Sequence, residues 1–551
     1  MKESWKQFKW IMSYARSVAG ELVFLVLSGI VSSLAGVGIV WATKIIVDIA
    51  TREIVRSLAL SAVTVIALIA VKIISENMKD VLYLRVSLKA SSKMKSDIFE
   101  KALSAQWLPL QHYHSGDYMA RMNSDVEMVI KLLAEILPDA ISLGAQFVSA
   151  FGLLWMLEPP LAVAVLAMVP VMLGIGQLFS GALRKLDKQR QGIYSKTQSF
   201  SQEMLQNALL IKCFDLQKKS IGMFNKLQND FNTVSGRRNN IAIFSRSVFS
   251  VGYYAAYLAA MLWGAVAMMA DHLTYGTMVA FLQLVSQVQV PAVSIVRYYP
   301  GVISALSSAE RLMELQDIKS EDEGGKLPEK LTNVGISLDN ISFSYCKDIV
   351  VSNVNLEILP GQYIALIGPS GRGKTTLVRI LLALILPQEG QALLTSEEGS
   401  FPITPAARRY FSYIPQGNSI MSGTIEENLK MGREGATKEE MITALKAAAA
   451  WDFVSALADG LYTYVGEHGF GLSEGQAQRI AIARALLRDA PIMLMDEATS
   501  AIEVPTERRI LSNIRQYYSG KTCLIISHRD SVMDYCDHIY KITHKTVEKL
   551  R

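Results

Sequence analysis

The sequence predicts a multidomain fold, with an all-α six-helix transmembrane domain followed by an α/β domain. The chain has 551 residues, too many for one ordinary domain. Hydrophobic residues make up 50% of it, charged residues 19%, and the mean hydropathy is +0.25. Apolar stretches end near Val296, after which short β-like runs alternate with helical segments. This composition excludes a disordered chain and disfavours an ordinary soluble enzyme.

Six apolar spans predict membrane helices, because most approach the roughly 20 residues needed to cross about 30 Å of hydrocarbon. The spans are Leu22–Ile46, Leu58–Ile74, Ile136–Leu157, Leu161–Leu183, Phe244–Met269 and Met278–Val296. The second is the weakest, since Lys72 interrupts its inner end. A large buried helical core is the alternative, but six such runs in one half of a chain favour the membrane. A lipid bilayer is therefore an expected partner.

Basic residues indicate the orientation of the spans. They lie before the first span and in the two long connections: Lys2, Lys6, Lys9, Arg16, Arg85, Lys89, Lys93, Lys95, Lys101, Arg184, Lys185, Lys188, Arg190, Lys218 and Lys219. Basic segments remain in the cytosol, so we expect a multi-pass protein of a bacterial inner or plasma membrane, with both termini and the α/β domain in the cytosol. These residues explain the net charge of +5, and no nucleic acid partner is expected. The N-terminal MKESWKQFKW lacks an apolar core with a cleavage site, so no cleaved signal peptide is expected.

A change in composition sets the predicted domain boundaries. Residues 1–318 form the transmembrane domain, whose helices continue beyond the bilayer into the cytosol. Residues 319–334 form a linker, because SEDEGGKLPEK is charged and contains glycine. In residues 335–551 the β-like runs YIALIG, PIMLMD and TCLIIS alternate with helical segments, which is typical of an α/β domain around a mostly parallel sheet.

A glycine-rich segment in this domain predicts phosphate binding. Gly368-Pro-Ser-Gly-Arg-Gly-Lys-Thr375 fits the pattern GxxxxGK[ST], follows the strand-like YIALI and precedes the helical TLVRILLAL. A chance glycine-rich turn is the alternative, but the strand–loop–helix frame favours a loop that binds the phosphates of ATP. Backbone N–H groups wrap the β-phosphate, Lys374 adds charge near the β- and γ-oxygens, and the Thr375 hydroxyl ligates Mg²⁺. The predicted ATP-binding residues here are Gly368, Ser370, Gly371, Gly373, Lys374, Thr375 and Thr376.

A second motif supplies two carboxylates. The apolar run from Ile492 to Met495 is followed by Asp496 and Glu497. A buried strand that ends in this way predicts that Asp496 holds Mg²⁺ through water and that Glu497 acts as a general base. Such a run alone is often only the end of a strand, but its occurrence in the same domain as the phosphate loop strengthens the prediction.

Between these motifs, Leu472-Ser-Glu-Gly-Gln476 followed by AQRIAIARALL resembles the signature of ATP-binding cassette (ABC) ATPases. The resemblance covers residues 335–551, and the earlier residues resemble, more weakly, the six-helix membrane domain of ABC exporters. It implies an α/β P-loop ATPase domain, with Ser473, Gly475 and Gln476 binding the ATP of a partner. Glu474 stands where the family usually has glycine.

The order of the other motifs also resembles this family, which implies roles for single residues. Tyr345 in ISFSY corresponds to the aromatic residue that stacks on adenine. Gln416 in YIPQ corresponds to the glutamine that senses Mg²⁺, which makes it an implied metal residue beside Thr375 and Asp496. His528 in IISHR corresponds to the histidine at the γ-phosphate. The implied catalytic residues are Glu497, His528 and Gln416. Glu503, which closes Ser500-Ala-Ile-Glu, replaces the usual aspartate.

The resemblance implies ATP hydrolysis coupled to membrane transport. In this family two nucleotide domains meet head to tail, so a chain with one of each motif pairs with a second copy or with a related half-transporter. We expect export of a peptide or an amphiphilic, drug-like molecule by alternating access. Two alternatives stay open: half of a heterodimer with one impaired ATP site, or an ATP-gated regulator or channel with slow turnover.

Polar residues within the spans suggest a substrate cavity. The sixth span contains Gln283, Gln287 and Gln289, and the third contains Asp139 and Gln146. Polar groups at membrane depth face the bundle interior or a wet cavity. Hydrogen bonding between helices and a polar transport cavity both explain them.

Overall fold

The computed structural model describes residues 2–551 except 112, 114, 271–272, 323, 325–326, 346–347, 370, 467–468, 470 and 544. The chain divides into two compact units. A helical unit comprises Met1–Ala102 and His114–Asp317. A sheet-containing unit comprises Ile318–Arg551 together with the short segment Leu103–Tyr113, which comes from the middle of the helical sequence.

Long helices dominate the first 317 residues of the chain. The helices are α1 (Lys2–Ala15), α2 (Ala19–Ala50), α3 (Leu58–Ser104), α4 (Trp107–Leu110), α5 (Ser115–Ala120), α6 (Val126–Lys131), α7 (Leu137–Leu157), α8 (Pro159–Gln206), α9 (Ala208–Cys213), α10 (Gln217–Met269) and α11 (Tyr275–Gln316). Two π-helical turns, Arg121–Asp125 and Leu132–Ile136, join α5, α6 and α7 into one continuous helical stretch.

Among the described residues, four helical stretches are long and apolar enough to cross a membrane. They are Glu3–Ala50, Leu58–Ser104, Gly116–Leu157 and Gln217–Met269, which contain the first, second, third and fifth predicted spans. The fourth and sixth predicted spans lie within α8 and α11. Helices α3, α8, α10 and α11 have 47, 48, 53 and 42 residues, about twice what a bilayer requires. Each therefore extends well beyond its apolar span.

One buried carboxylate ties two of these helices together. Asp48, near the end of α2, has no exposed surface and forms an ion pair with Lys44 at 2.7 Å, four residues earlier. Its other oxygen accepts the backbone N–H of Gly276 in the first turn of α11 at 3.0 Å. A carboxylate at a helix N-terminus satisfies a free N–H group and complements the helix dipole. The pair therefore also fixes the start of α11.

The described residues of the second unit form three sheets. Its strands are β1 (Gly335–Tyr345), β2 (Asp348–Ile358), β3 (Tyr363–Ile367), β4 (Glu389–Ser396), β5 (Gly399–Pro402), β6 (Phe411–Ile414), β7 (Gly423–Thr424), β8 (Tyr464–Val465), β9 (Ile492–Asp496), β10 (Thr522–Ile526), β11 (His538–Thr543) and β12 (Thr546–Lys549). The main sheet has the order β12-β11-β3-β10-β9-β6, an antiparallel sheet has the order β2-β1-β4-β5, and β7 pairs with β8.

Besides α4, the α-helices described in this unit are α12 (Lys374–Leu381), α13 (Ile425–Lys430), α14 (Lys438–Ala447), α15 (Trp451–Ser455), α16 (Glu474–Leu487), α17 (Val504–Tyr517) and α18 (Asp530–Met533). Apolar clusters cover both faces of the main sheet. In β9, Met493 and Met495 pack into one cluster, and Ile492 and Leu494 into the other. Burial on both faces explains why the sequence of this strand is apolar throughout.

Candidate active site

The order of strands in the main sheet brings four distant chain segments to one edge. Strands β3, β10, β9 and β6 are neighbours and run parallel. Their carboxyl ends lead into the phosphate loop, His528, Glu497 and Gln416, respectively. Ligands of open α/β sheets bind beyond the carboxyl ends of the strands. The edge is therefore the place where the predicted catalytic residues can act together.

The phosphate loop has the local geometry that its motif predicts. Gly373 has φ +102°, and a Cβ there would lie 2.8 Å from Val351 Cγ1, so glycine is required. Helix α12 begins directly after it, at Lys374. Its free N–H groups and positive end favour phosphate. Ser370, predicted to bind ATP, lies outside the described residues.

The Lys374 side chain bends back over this loop. Its Nζ donates to the carbonyls of Gly368 (2.6 Å) and Pro369 (3.1 Å) and lies 3.1 Å from His528 Nε2. Burial lowers the pKa of the Lys374 ammonium, an effect opposed by the carboxylates of Glu497 and Asp496. The cation thus lies in the loop where the motif places the β- and γ-phosphates.

Asp496 and Thr375 form the candidate metal position. Asp496 is 2% exposed, and the Thr375 hydroxyl hydrogen-bonds its carboxylate. Burial raises the pKa of this carboxyl, while the Thr375 hydrogen bond acts in the opposite direction. No group of three or more His, Cys, Asp or Glu residues suited to a metal occurs in the described part of the chain. One carboxylate with a hydroxyl nevertheless fits Mg²⁺, which completes its shell with water and substrate phosphate.

The three predicted catalytic residues meet at one carboxylate. Gln416 Nε2 donates to Glu497 Oε2 at 2.7 Å, and His528 Nε2 lies 3.2 Å from Glu497 Oε1. A proton on His528 Nε2 can be donated to Glu497, whereas an unprotonated Nε2 can accept from Lys374. Whether Nε2 carries the proton therefore determines whether His528 hydrogen-bonds to Glu497 or to Lys374.

The backbone of Glu497 is itself unusual. It has φ +48°, in the left-handed region that residues other than glycine rarely adopt. Its N–H donates to the carbonyl of Ile526, at the end of the neighbouring strand β10, at 3.0 Å. Strained backbone of this kind gathers at functional sites, where the surrounding structure holds it. The conformation aims the Glu497 side chain at Gln416 and His528.

The signature residues form the N-terminus of α16. Ser473 Oγ accepts the N–H of Gln476 at 3.3 Å, and Gln476 Oε1 accepts the N–H of Ser473 at 2.9 Å, which is a capping box. A Cβ on Gly475 would lie 2.7 Å from the carbonyl oxygen of Ala501, so no larger residue fits. Glu474 is exposed in the first turn of the helix.

The segment from Ser500 to Ile502 is held by two residues that the sequence reasoning did not select. Arg529 donates to the carbonyls of Ser500 and Ile502, both at 2.6 Å. Gln478 donates to Ser500 Oγ at 3.2 Å and accepts the N–H of Ala501 at 3.1 Å. The only sequence signal for Arg529 was its position next to His528. These contacts connect the histidine loop and the signature helix to the segment that ends at Glu503.

Tyr345, predicted to stack on adenine, lies at the end of β1. Its ring packs edge-on against Phe343, with ring centroids 4.9 Å apart, and its hydroxyl accepts a hydrogen bond from Arg379 Nη1 at 2.9 Å. Arg379 belongs to the last turn of α12. The sequence reasoning missed this arginine, because within TLVRILLAL it reads as an exposed position of a helix.

The polar residues of the helical unit were explained either by hydrogen bonding between helices or by a polar transport cavity, and different residues fit different explanations. Gln287 lies 3.4 Å from Gln146 and donates to the carbonyl of Gly36 at 3.3 Å, so it joins helices α2, α7 and α11. Gln289 is 1% exposed, and neither its amide nitrogen nor its amide oxygen has a hydrogen-bond partner among the described residues. Gln287 therefore fits hydrogen bonding between helices, whereas Gln289 does not.

Asp139 also belongs to a polar cluster. It pairs with Lys79 at 2.5 Å and accepts the hydroxyl of Tyr298 at 2.8 Å, which links α7 to α3 and α11. These residues lie next to the inner ends of the predicted second, third and sixth spans.

A unit of long apolar helices and a unit with a phosphate loop, strand-end carboxylates and a capped signature helix define an ATPase of membrane transport. Family comparison agrees: residues 22–292 match the family described as ABC transporter transmembrane region, and residues 351–500 match the family described as ABC transporter. The chain belongs to the ABC transporter family and is an ATP-binding membrane transport ATPase of the exporter type. The predicted fold class and family are confirmed.

The chain is similar to named proteins and to a solved structure. The chain is 30% identical over 458 residues to an ATP-dependent lipid A-core flippase of Chromobacterium violaceum, covering 81% of this chain and 77% of that protein. It is 29% identical to the leukotoxin translocation protein LktB of Mannheimia haemolytica, of which it spans 63%. A bacterial Atm1-family ABC exporter with ATP bound has the same fold, with a TM-score of 0.81, 23% identity and coverage of 97% of this chain and 95% of that one.

Proposed function

We propose that this chain is an ATP-driven exporter that acts as a homodimer in a bacterial inner membrane and moves a peptide or an amphiphilic molecule by alternating access. The observation that carries the proposal is the meeting of Gln416 and His528 at the Glu497 carboxylate. A carboxylate held by two polar side chains at a strand end is placed to polarise a water molecule for attack on a phosphate. A regulator with slow turnover would not require this arrangement.

Each residue has a defined task in this proposal. Lys374 and the N–H groups at the start of α12 bind the triphosphate, and Thr375 and Asp496 hold Mg²⁺, which neutralises phosphate charge when bound. Glu497 takes the proton of the attacking water. Gln416 orients that carboxylate, and His528 contacts the γ-phosphate.

The separation of the two ATP-binding motifs within one chain supports head-to-tail pairing. Within the described residues, no hydrogen bond or ion pair joins Ser473 or Gln476 to the phosphate loop, and the two residues cap one another instead. The exposed N-terminus of α16 is thus available to the ATP held by a second copy. Glu474 adds a negative charge at that position.

The two turns between the long helices differ in a way that also favours a dimer. The first, Leu103–Tyr113, belongs to the ATPase unit of its own chain, whereas α9 does not. Around α9, Leu209, Leu210 and Phe214 are 74%, 53% and 70% exposed. Contiguous exposed apolar residues mark protein interfaces. We assign this surface to the ATPase unit of the second copy, where Met421 is 61% exposed.

The polar contacts of the membrane helices favour a cargo with both polar and apolar parts. Gln289 carries a buried amide with no hydrogen-bond partner among the described residues, and Asp139 and Lys79 place charges near the inner boundary. Polar groups at this depth mark transport pathways. The names of two relatives mention lipid A-core and a leukotoxin, a lipid and a polypeptide.

ATP hydrolysis by the full chain in lipid vesicles tests the proposal. The Glu497→Gln variant should lose about 10²- to 10⁴-fold in rate, the usual contribution of a general base. Glu434→Gln, which changes an exposed glutamate of the same unit, is the matched control and should keep the wild-type rate. A wild-type chain that is inactive alone but active with a related half-transporter would replace the homodimer by a heterodimer. Hydrolysis that continues in the Glu497→Gln variant would refute the role of this carboxylate.

An oxidative cross-link tests the dimer separately. Cys213 is a free, exposed thiol at the end of α9. With Met421→Cys, mild oxidation should yield a covalent dimer, and the Cys213→Ser variant of the same protein should not. Monomers alone, from a protein that still hydrolyses ATP, would refute the assignment of α9 to the second copy.

A further inference from the structure

The segment between α3 and α5 is fixed to the ATPase unit by its backbone. Ala105 and Ser320 form an antiparallel bridge. The N–H of Gln106 donates to the carbonyl of Lys319 at 2.9 Å, and the N–H of Glu321 donates to the carbonyl of Ser104 at 2.8 Å. The segment that leads from α3 into α4 and the segment that leads from α11 into the ATPase unit are therefore hydrogen-bonded side by side.

Helix α4 continues this attachment with side chains. Trp107 and Leu108 pack against the apolar cluster between the antiparallel sheet and the main sheet. The Trp107 ring also receives the Arg379 guanidinium, whose central carbon lies 4.6 Å from the ring centroid. Stacking of this type is favourable and holds the planar guanidinium in one orientation.

The same guanidinium also contacts Tyr345. Arg379 Nη1 donates to the Tyr345 hydroxyl at 2.9 Å. Phe343 packs edge-on against the Tyr345 ring. One neighbour fixes the ring from the side and Arg379 fixes its hydroxyl end. The orientation of Tyr345 thus depends on a residue whose own orientation depends on Trp107.

We infer that Arg379 is a positioning residue that makes adenine recognition by Tyr345 depend on the seating of α4. The inference rests on the proposed ATP site, in which the Tyr345 ring stacks on the base. When α4 is packed against the apolar cluster, the Trp107 ring stacks on the Arg379 guanidinium. The guanidinium in turn hydrogen-bonds the Tyr345 hydroxyl and keeps the face of the Tyr345 ring towards the base. When α4 shifts, Arg379 loses its stacking surface and the tyrosine loses its fixed orientation. A displacement of α4 would thereby change how the base of ATP is held.

Comparison of ATP with inorganic tripolyphosphate, which has no base, separates this role from a structural one. Both ligands are titrated against the full chain in lipid vesicles. Arg379→Gln should weaken ATP binding about 2- to 10-fold, the range of one aromatic stacking contact, and leave tripolyphosphate binding unchanged. Arg379→Lys, which keeps the cation, should retain most of the ATP affinity. Arg409→Gln, an exposed arginine of the same unit, is the matched control.

Two further variants test the Trp107–Arg379 contact and the Arg379–Tyr345 contact separately. Trp107→Leu should reproduce the selective loss of ATP affinity, because leucine keeps the apolar contact but offers no ring to the guanidinium. In a Tyr345→Phe background, Arg379→Gln should cause no additional loss, since the hydroxyl that it positions is absent.

The outcomes distinguish the inference from the proposed function. Equal weakening of ATP and tripolyphosphate by Arg379→Gln would mean that the arginine only supports α12, and would overturn the inference. So would an unchanged ATP affinity in both Arg379→Gln and Trp107→Leu. If Tyr345→Ala leaves the ratio of the two affinities unchanged, the base does not stack on Tyr345 and the proposed site itself fails. Should Arg379→Gln not fold, Trp107→Leu and Arg379→Lys decide the question.

Discussion

Replacing Gly475 by alanine tests the geometry of the signature helix. The added Cβ would lie 2.7 Å from the carbonyl oxygen of Ala501, whereas ordinary contact begins at 3.4 Å. The two atoms must therefore separate by about 0.7 Å. Neither side moves freely: Ala501 is held by Gln478, and its neighbours Ser500 and Ile502 are held by Arg529.

Overpacking of this kind costs about 1–3 kcal/mol. For an ATPase unit of this size, each kcal/mol lowers the melting temperature by about 2–4 °C. Gly475→Ala should therefore lower the unfolding midpoint of the ATPase unit by about 2–12 °C. Because the N-terminus of α16 is displaced, kcat/KM for ATP should fall about 10- to 100-fold.

Thermal unfolding and ATP hydrolysis of the full chain in lipid provide the two measurements. Gly435→Ala is the control, because a Cβ there meets nothing within 4 Å and its backbone is outside the left-handed region. This control should match or slightly exceed wild-type stability, as alanine restricts the unfolded chain. A Gly475→Ala variant that melts and hydrolyses ATP like the wild type would refute the packing argument.

Three other changes have defined outcomes. Glu474→Gly should lower KM for ATP, because it removes a negative charge from the helix end offered to the γ-phosphate; an ATP titration that superimposes on the wild type would contradict this. Arg408→Ala removes the guanidinium that clamps Glu321 and the carbonyl of Leu382, so it should destabilise the ATPase unit by about 1–3 kcal/mol and speed proteolysis after residue 318. Burial raises the pKa of Asp496, so its neutral form persists to higher pH than for an ordinary aspartate. Mg²⁺ binding should consequently be lost, as pH falls, above the usual range near about 3.9; loss only below that range would be evidence against the buried carboxylate as the metal ligand.

Local motifs were predictable because contiguous residues encode them. The strand, glycine loop and helix around Lys374 form as predicted, since the glycines supply backbone conformations and the helix start supplies N–H groups within one short segment. The apolar spans were equally readable, because a bilayer selects for long apolar helices whatever their neighbours.

Long-range contacts were less predictable. A pair such as Lys44–Asp48 can be read from its spacing of four residues on one helix, but the bond from Gly276 to Asp48 joins residues 228 apart in the chain. Gln287 gave two equally good interpretations, and only the positions of Gln146 and Gly36 show what it contacts. Spacing along one helix does not reveal which helix lies opposite.

By itself, the sequence determined the chemistry of this protein: apolar helices, a phosphate loop, a carboxylate pair and a signature turn, in the order of ABC transporters. The tertiary structure decided which groups meet. The order of the parallel strands brings Gln416 and His528 to Glu497, and the positive φ of Glu497 aims its carboxylate at them. Packing of α4 places Trp107 on Arg379, and so next to Tyr345. The conformation of a motif is determined by residues that are neighbours along the chain. These long-range contacts are instead determined by the burial of apolar faces between segments that are far apart in sequence.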